Sequence, residues 1–255
     1  MRLAAYQFGV TGDVQHNMEI IRKAVELAAE QKAELIVFPE CAISGYPPRN
    51  IDKAESIDMA AVECALKELQ GLSNQLEICI VAGTAFFDGR YYNRAYVIAP
   101  DQAISYYGKR ALYGWDEDNF TPGAENGLFK IGGYTVGIRI CYEVRFPEYF
   151  RELYKEHTDV DIVLFFDVSD QDDTERYNLI KGHLMTRAVE NVTPFLSVNA
   201  TAPFQTAPTC FINASGKVLT EATCNTENLL IYDYEKAEPN FGEKGRVRYS
   251  DTLVY

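Results

Sequence analysis

Three residues of types that enzymes use in covalent catalysis each follow a strand-like segment. Glu40 comes after "LIVFP", Lys109 after "ISYYG" and Cys141 after "VGIRI". In α/β folds the loops beyond strand ends build active sites, so side chains at three such ends are considered together. A cysteine attacks as its thiolate, and it needs a base for its proton and a positive charge beside the anion. Glu40 is the candidate base, and Lys109 is the candidate cation.

Each of these residues also has a simpler explanation when it is taken alone. A cysteine at the end of a strand is most often inert packing, Glu40 could cap the turn after Pro39, and Lys109 could be a solvated surface charge. A cysteine–histidine pair is a second catalytic possibility. The available histidines lie in or beside predicted helices, where surface or core roles suit them better: His16, His157 and His183.

Apolar periodicity predicts the elements that must position these side chains. The predicted helices are one capped by Asp13 or Thr11, which buries Ile20, Ile21, Ala24, Leu27 and Ala28, and three more at about 56–76, 147–156 and 174–191. The predicted strands include "MRLAAYQF", "ELIVFPE", "ICIVAG", "DIVLFF", "PFLSVNA" and "ENLLIYDY", and hairpins turn at Asp88-Gly89, Gly132-Gly133 and Ser215-Gly216. Because no Pro/Gly/Ser-rich linker interrupts this pattern, we expect residues 1–255 to form one α/β domain, with a mixed sheet or two packed sheets.

The C-terminal tail, about residues 235–255, differs from the rest of the chain. Its sequence "EPNFGEKGRVRYSDTLVY" shows little helical period and ends in a strand-like aromatic stretch. We expect this tail to pack on a partner subunit.

Composition narrows the classes of partner. The net charge of −13 disfavours non-specific binding to nucleic acid or to an anionic membrane, because phosphates would be repelled. No apolar run approaches the roughly 20 residues that span a bilayer, and "MRLAAYQFGV" is interpreted as a first strand and not as a signal peptide. The six cysteines are scattered, with no Cys-x-x-Cys and no histidine at metal-ligand spacing. A cytoplasmic protein with free thiols, without structural zinc and with small-molecule or protein partners, fits this pattern.

Around the three candidate residues the sequence resembles the nitrilase, or carbon-nitrogen hydrolase, superfamily. "LIVFPECAISGYPP" is similar to the segment around the family's catalytic glutamate, "YYGKRALYGWDEDNFTPG" to its lysine region, and "GIRICYEVRFPEYFREL" to its nucleophile segment. The order glutamate, lysine, cysteine also matches. "HLMTRAVENVTPFLSVNA" resembles the helix and strand that follow, so the similarity extends over nearly the whole chain.

The resemblance implies an α/β fold built as a four-layer α-β-β-α sandwich that commonly forms homodimers, with no metal and no organic cofactor. It assigns Glu40 as general base, Lys109 as oxyanion-stabilising lysine and Cys141 as nucleophile, and the backbone N–H of Tyr142 is the expected second oxyanion donor. A second glutamate near the lysine matches Glu117 best. The neighbouring acids leave that assignment open by one position: Asp116 and Asp118.

An acidic loop follows the strand "DIVLFF" at a position that borders the substrate pocket in the resembled family. Asp167 and Asp170 are the candidate substrate-binding residues, and carboxylates there would favour a substrate with a cationic group. The alternative is a solvated loop that caps the helix beginning near Thr174. Arg176 remains available for an anionic substrate.

The function that the residues and the resemblance together predict is cysteine-dependent hydrolysis of a non-peptide carbon-nitrogen bond. The expected substrate is a small-molecule amide or carbamoyl compound, cleaved through a thioester with release of ammonia or an amine. Two alternatives remain at this point, a nitrilase and a non-catalytic binding protein on the same fold.

Overall fold

Two six-stranded β-sheets form the framework of the computed structural model, which describes residues 1–254. The first sheet contains, in spatial order, β14 (Asn228–Asp233), β1 (Arg2–Gln7), β2 (Leu35–Val37), β3 (Cys79–Phe87), β4 (Tyr91–Ile98) and β5 (Ser105–Gly108). The second contains β13 (Val218–Glu221), β12 (Cys210–Ile212), β10 (Phe195–Asn199), β8 (Val160–Phe165), β7 (Tyr134–Ile140) and β6 (Leu128–Ile131). Two short strands pair separately, β9 (Val168–Ser169) and β11 (Phe204–Gln205).

Residues 1–254 also form six α-helices. They are α1 (Val14–Glu30), α2 (Met59–Leu76), α3 (Trp115–Asn119), α4 (Pro147–Lys155), α5 (Thr174–Asn191) and α6 (Phe241–Val254). One apolar cluster joins α1 and α2 to the first sheet, a second lies between the two sheets, and a third joins α4 and α5 to the second sheet. These three apolar layers confirm the expected four-layer α-β-β-α sandwich.

Helix α1 illustrates how the sequence specifies this packing. Asp13 accepts hydrogen bonds from the backbone N–H groups of the first turn, which caps the helix as the sequence predicted. The buried stripe consists of Met18, Ile21, Ala24, Val25 and Ala28. Leu27 was predicted to lie in that stripe, but it is 41% exposed, because the face in contact with the sheet is rotated toward Met18 and Val25.

The strands that precede the candidate residues end at the same end of the sandwich. In the first sheet β1, β2 and β3 run parallel, and in the second β7, β8 and β10 run parallel. The backbone N–H of Glu40, just beyond β2, donates to the carbonyl of Phe165 at the end of β8. This contact joins the carboxyl ends of the two sheets, and the candidate residues lie there.

Most of the C-terminal tail, Phe241–Val254, is helical, so the sequence-based prediction of little helical period and a strand-like end was wrong for these residues; Tyr255 lies outside the described residues. Helix α6 buries only Ser250 fully among its described side chains, which explains its weak apolar period. Polar contacts hold it on α4 of the same chain, where Tyr154 donates to Asp251 over 2.6 Å and Arg151 to Ser250 over 3.3 Å. Packing of the tail on a partner subunit stays a prediction. No helix within residues 1–254 combines the length and the apolar character needed to cross a bilayer.

A buried carboxylate at the other end of the second sheet makes stability depend on pH. Asp161, near the start of β8, is 1% exposed, and neither of its oxygens makes a hydrogen bond of normal geometry. Burial raises the pKa of Asp161 to about 7, although nearby Thr158 and Arg139 lower it. The folded protein therefore binds this proton more tightly than the unfolded chain. The stability that this tighter binding contributes is lost as the pH rises through about 7.

We expect Asp161→Asn to stabilise the protein by about 1–3 kcal/mol at pH 8, because the variant removes an unpaired buried charge. The gain should shrink toward pH 4, where the wild-type carboxyl is protonated in the folded state and no buried charge remains for the substitution to remove. Urea unfolding at the two pH values measures the difference, with the exposed Asp52→Asn as the matched control. An equal effect of Asp161→Asn at both pH values would contradict the assignment.

Candidate active site

Glu40 is held in a fixed orientation by three donors. Its side chain is fully buried, Oε1 accepts from Lys109 Nζ and from Asn93 Nδ2, each over 2.7 Å, and Oε2 accepts from the backbone N–H of Phe166 over 2.8 Å. Gly83 on β3 makes this close packing possible, since a Cβ there would lie 2.6 Å from the Cα of Glu40. Burial raises the pKa of Glu40, and the Lys109 ammonium opposes part of that rise.

Lys109 lies between two carboxylates. Lys109 is 2% exposed, and its Nζ is 2.7 Å from Glu40 Oε1 and 2.7 Å from Asp116 Oδ2. Burial alone would lower the pKa of Lys109, but Glu40 and Asp116 outweigh it and raise that pKa well above its usual value. The amine is therefore an ammonium ion at every physiological pH.

The acid beside Lys109 is Asp116, and not Glu117. The exposed Glu117 accepts the backbone N–H of Gly114 over 3.3 Å and so caps the start of α3. Asp116 points inward with Phe120, four residues later on the same helical face. Tyr46 donates to the second oxygen of Asp116 over 2.9 Å, which fixes that carboxylate. The expected second acid is thus one residue earlier than the sequence match suggested.

Cys141 lies where β7 breaks into a short 3₁₀ turn, Cys141–Arg145. Its φ of +46° falls in the left-handed region, which costs a residue with a side chain about 1 kcal/mol and ends the strand abruptly. Cys141 lines a cavity of about 170 Å³ together with Lys109 and Asp116. Burial, followed by the Glu40 charge, raises the pKa of Cys141 well above its usual value, so the thiol is protonated at neutral pH until a base removes the proton.

Tyr142 and the aromatic residues near it form the rim of this cavity. The rings of Tyr142 and Tyr113 stack with centroids 5.6 Å apart, and both residues line the cavity. Trp115 also lines it and is half exposed. The role of the Tyr142 backbone N–H as an oxyanion donor stays a prediction.

The two candidate substrate-binding carboxylates are already paired with arginines. Asp167 lines the cavity and binds Arg176 through two hydrogen bonds of 2.7 and 2.9 Å. Asp170 lies outside the cavity that Cys141 lines, in an adjoining pocket, where Arg49 donates to it over 2.8 and 3.2 Å. The hydrogen bonds from Arg49 hold the pKa of Asp170 below its usual value. The acidic loop therefore offers no unpaired carboxylate to a cationic substrate at these two positions.

Asn93 is a positioning residue that the sequence reasoning missed. Its side chain donates to Glu40, and its backbone carbonyl accepts the N–H of Lys109 over 2.8 Å. A polar residue inside the apolar strand "YYNRAYVIAP" was the available signal, because a buried amide needs partners. Among residues 1–254, no group of three or more His, Cys, Asp or Glu side chains is arranged to hold a metal ion.

We expect Asp116→Asn to lower the free energy of unfolding by about 3–5 kcal/mol, because it leaves a buried ammonium with one carboxylate fewer. Glu117→Gln, the matched control one residue later, should change it by less than about 0.5 kcal/mol, as is usual for an exposed position. Urea unfolding followed by circular dichroism gives both values. Equal losses in the two variants would contradict the placement of Asp116 against Lys109.

Sequence and fold comparisons agree on one group of enzymes. The family model described as carbon-nitrogen hydrolase matches residues 2–238. An (R)-stereoselective amidase from Pseudomonas sp. is 28% identical over 158 residues, which cover 61% of this chain and 56% of the relative. A nitrilase from Pyrococcus abyssi (strain GE5 / Orsay) is 33% identical over 150 residues, or 56% of each chain, so this chain spans little more than half the length of these relatives.

A crystal structure of an amidase from Nesterenkonia sp. has the same fold, with a TM-score of 0.82 and 23% identity over 99% of this chain and 96% of that chain. The match to the family model extends over nearly all of the sandwich and includes all three strand ends at which Glu40, Lys109 and Cys141 lie. The chain belongs to the carbon-nitrogen hydrolase family.

Proposed function

We propose that this protein hydrolyses small linear amides through a thioester on Cys141. The observation that carries the proposal is the 2.7 Å hydrogen bond between Lys109 Nζ and Glu40 Oε1, beside a cavity that Cys141 lines. A buried base and a buried ammonium next to a thiol are the components that acyl transfer to sulfur requires. The amidases among the relatives and fold neighbours support the same reaction class.

The first half of the reaction forms the thioester. Because the pKa of Cys141 is raised, Glu40 must take the thiol proton as sulfur attacks the amide carbon. A carbon–sulfur bond forms, and the carbonyl electrons move to oxygen. Two of the three N–H donors of Lys109 are used by Glu40 and Asp116, which leaves the third for this oxyanion beside the backbone N–H of Tyr142.

The second half releases the acid. Collapse of the oxyanion breaks the carbon–nitrogen bond, and Glu40 returns its proton to the departing nitrogen, which leaves as ammonia or an amine. Glu40 then takes a proton from water, which attacks the thioester carbon. The carbon–sulfur bond then breaks and the carboxylic acid is released. Glu40 returns its proton to the sulfur, which regenerates the Cys141 thiol, so Glu40 acts twice as base and twice as acid.

Asp116 has a supporting role in this proposal. With Glu40 it keeps Lys109 charged inside the protein, because two carboxylates oppose the effect of burial on the pKa of Lys109. The homodimer and the cytoplasmic location remain proposals that rest on the family resemblance and on the scattered free thiols.

We expect Lys109→Ala to lower kcat by about 10²–10³-fold, because it removes an oxyanion donor. Cys141→Ala should abolish turnover. Ammonia release from short aliphatic amides measures both, with the exposed Lys217→Ala and Cys64→Ala as matched controls that retain wild-type rates. A Lys109→Ala enzyme with kcat within about threefold of the wild type would contradict the assigned role.

Substrate charge gives a separate test. We expect amine-bearing amides to gain no advantage over neutral amides of equal length, because Asp167 and Asp170 are already paired with Arg176 and Arg49. Values of kcat/KM from ammonia release over a panel of neutral, amine-bearing and carboxylate-bearing amides, with nitriles included, decide this. A preference of about tenfold or more for the amine-bearing compounds would overturn the expectation.

A further inference from the structure

Glu143 is a buried carboxylate that the proposed reaction does not use. It lies two residues after Cys141, is fully buried, and is absent from the lining of the cavity. It therefore cannot contact a substrate in that cavity. A carboxylate withdrawn from water needs strong partners, and the identity of those partners shows what Glu143 does.

Its two oxygens bind two different segments of the chain. Oε2 accepts the backbone N–H of Ile140, the residue before Cys141, over 2.7 Å. Oε1 accepts the backbone N–H of Arg110, the residue after Lys109, over 2.8 Å, and that of Ala111 over 3.3 Å. Tyr107 on β5 donates its hydroxyl to the same oxygen over 2.7 Å.

These segments belong to different sheets. Ile140 ends β7 in the second sheet, and Tyr107 lies on β5, the edge strand of the first sheet. Nothing in the pairing within either sheet fixes the distance between them. The Glu143 side chain provides a direct polar link, since hydrogen bonds to a charged acceptor are shorter and stronger than neutral ones.

We infer that Glu143 is a positioning residue that sets the placement of Lys109 relative to Cys141. The hydrogen bonds of Glu143 support this placement by themselves. Its importance for catalysis rests on the proposed function. A glutamine at this position cannot reproduce the arrangement, because one carboxylate oxygen becomes an NH₂ group that faces an N–H donor.

Glu152 offers a matched control. Its carboxylate lies on α4 and binds the Arg110 guanidinium over 2.5 Å, whereas Glu143 binds the backbone N–H of the same residue. Glu152 is exposed by about half, and it binds only side chains here, the guanidinium groups of Arg110 and, over 3.4 Å, of Arg139 on β7. Loss of its charge therefore removes two side-chain ion pairs beside the site but leaves the hydrogen bonds from the backbone N–H groups of Ile140, Arg110 and Ala111 to Glu143 in place.

The test is the rate at which iodoacetamide alkylates Cys141, measured by peptide mass spectrometry at a temperature where each variant is fully folded. We expect Glu143→Gln to slow alkylation about tenfold at pH 7.5, because a displaced Lys109 no longer favours the thiolate. Under saturating amide, kcat should fall at least about tenfold while KM stays within about threefold. Glu152→Gln should match the wild type in both measurements.

A merely structural role for Glu143 predicts a different result. It would lower the melting temperature of Glu143→Gln but leave the alkylation rate and kcat of the folded enzyme unchanged, which would overturn the inference. If Glu143→Gln does not fold, Tyr107→Phe decides, because it removes one donor to the same oxygen. Slower alkylation in Tyr107→Phe supports the inference, and an unchanged rate overturns it.

The two proposals fail separately. A wild-type enzyme that shows rapid alkylation of Cys141 but no amide hydrolysis would contradict the proposed function only. Equal alkylation rates for wild type and Glu143→Gln would contradict the role of Glu143 only.

Discussion

The Lys109 ammonium lies between the Glu40 and Asp116 carboxylates, and all three side chains are almost completely withdrawn from water. Burying such a group is costly, and the charges repay that cost only if their geometry is good and each remaining polar atom has a partner. The surrounding structure meets this condition. Asn93 and the N–H of Phe166 bind Glu40, and Tyr46 binds Asp116.

This requirement explains features of the framework that packing alone does not. Gly83 has no side chain because Glu40 lies against it, and Asn93 occupies an apolar strand because it serves Glu40 with its side chain and Lys109 with its backbone. The left-handed backbone at Cys141 is a local strain that ends β7 at the cavity. In this account, Glu143 holds the ends of β7 and β5, which belong to different sheets, at a fixed distance from each other. These features lower the stability of the folded protein but hold the charges in a fixed arrangement, which is the usual condition for electrostatic catalysis.

Much of this could be predicted from the sequence, because the apolar periods are strong where elements are buried. The helix at Thr174–Asn191 and the three hairpins were predicted with nearly correct bounds, and the positions of Glu40, Lys109 and Cys141 followed from the ends of apolar runs. Helix α6 was missed because its fold depends on a few polar contacts and not on an apolar stripe. The choice of Asp116 over Glu117 was also out of reach, since it depends on the direction in which α3 begins at Gly114. The pairing of Arg49 with Asp170 joins residues 121 positions apart and leaves no local pattern.

The central claim is that Cys141 carries the acyl group of an amide substrate while Glu40 and Lys109 drive its formation and release. The most direct measurement is mass spectrometry of enzyme quenched in acid during turnover of a short aliphatic amide. The account predicts an acyl adduct on the peptide that contains Cys141, absent from the other cysteine-containing peptides and absent in Cys141→Ala. Turnover with no adduct on that peptide, or with an adduct on another cysteine, would contradict it.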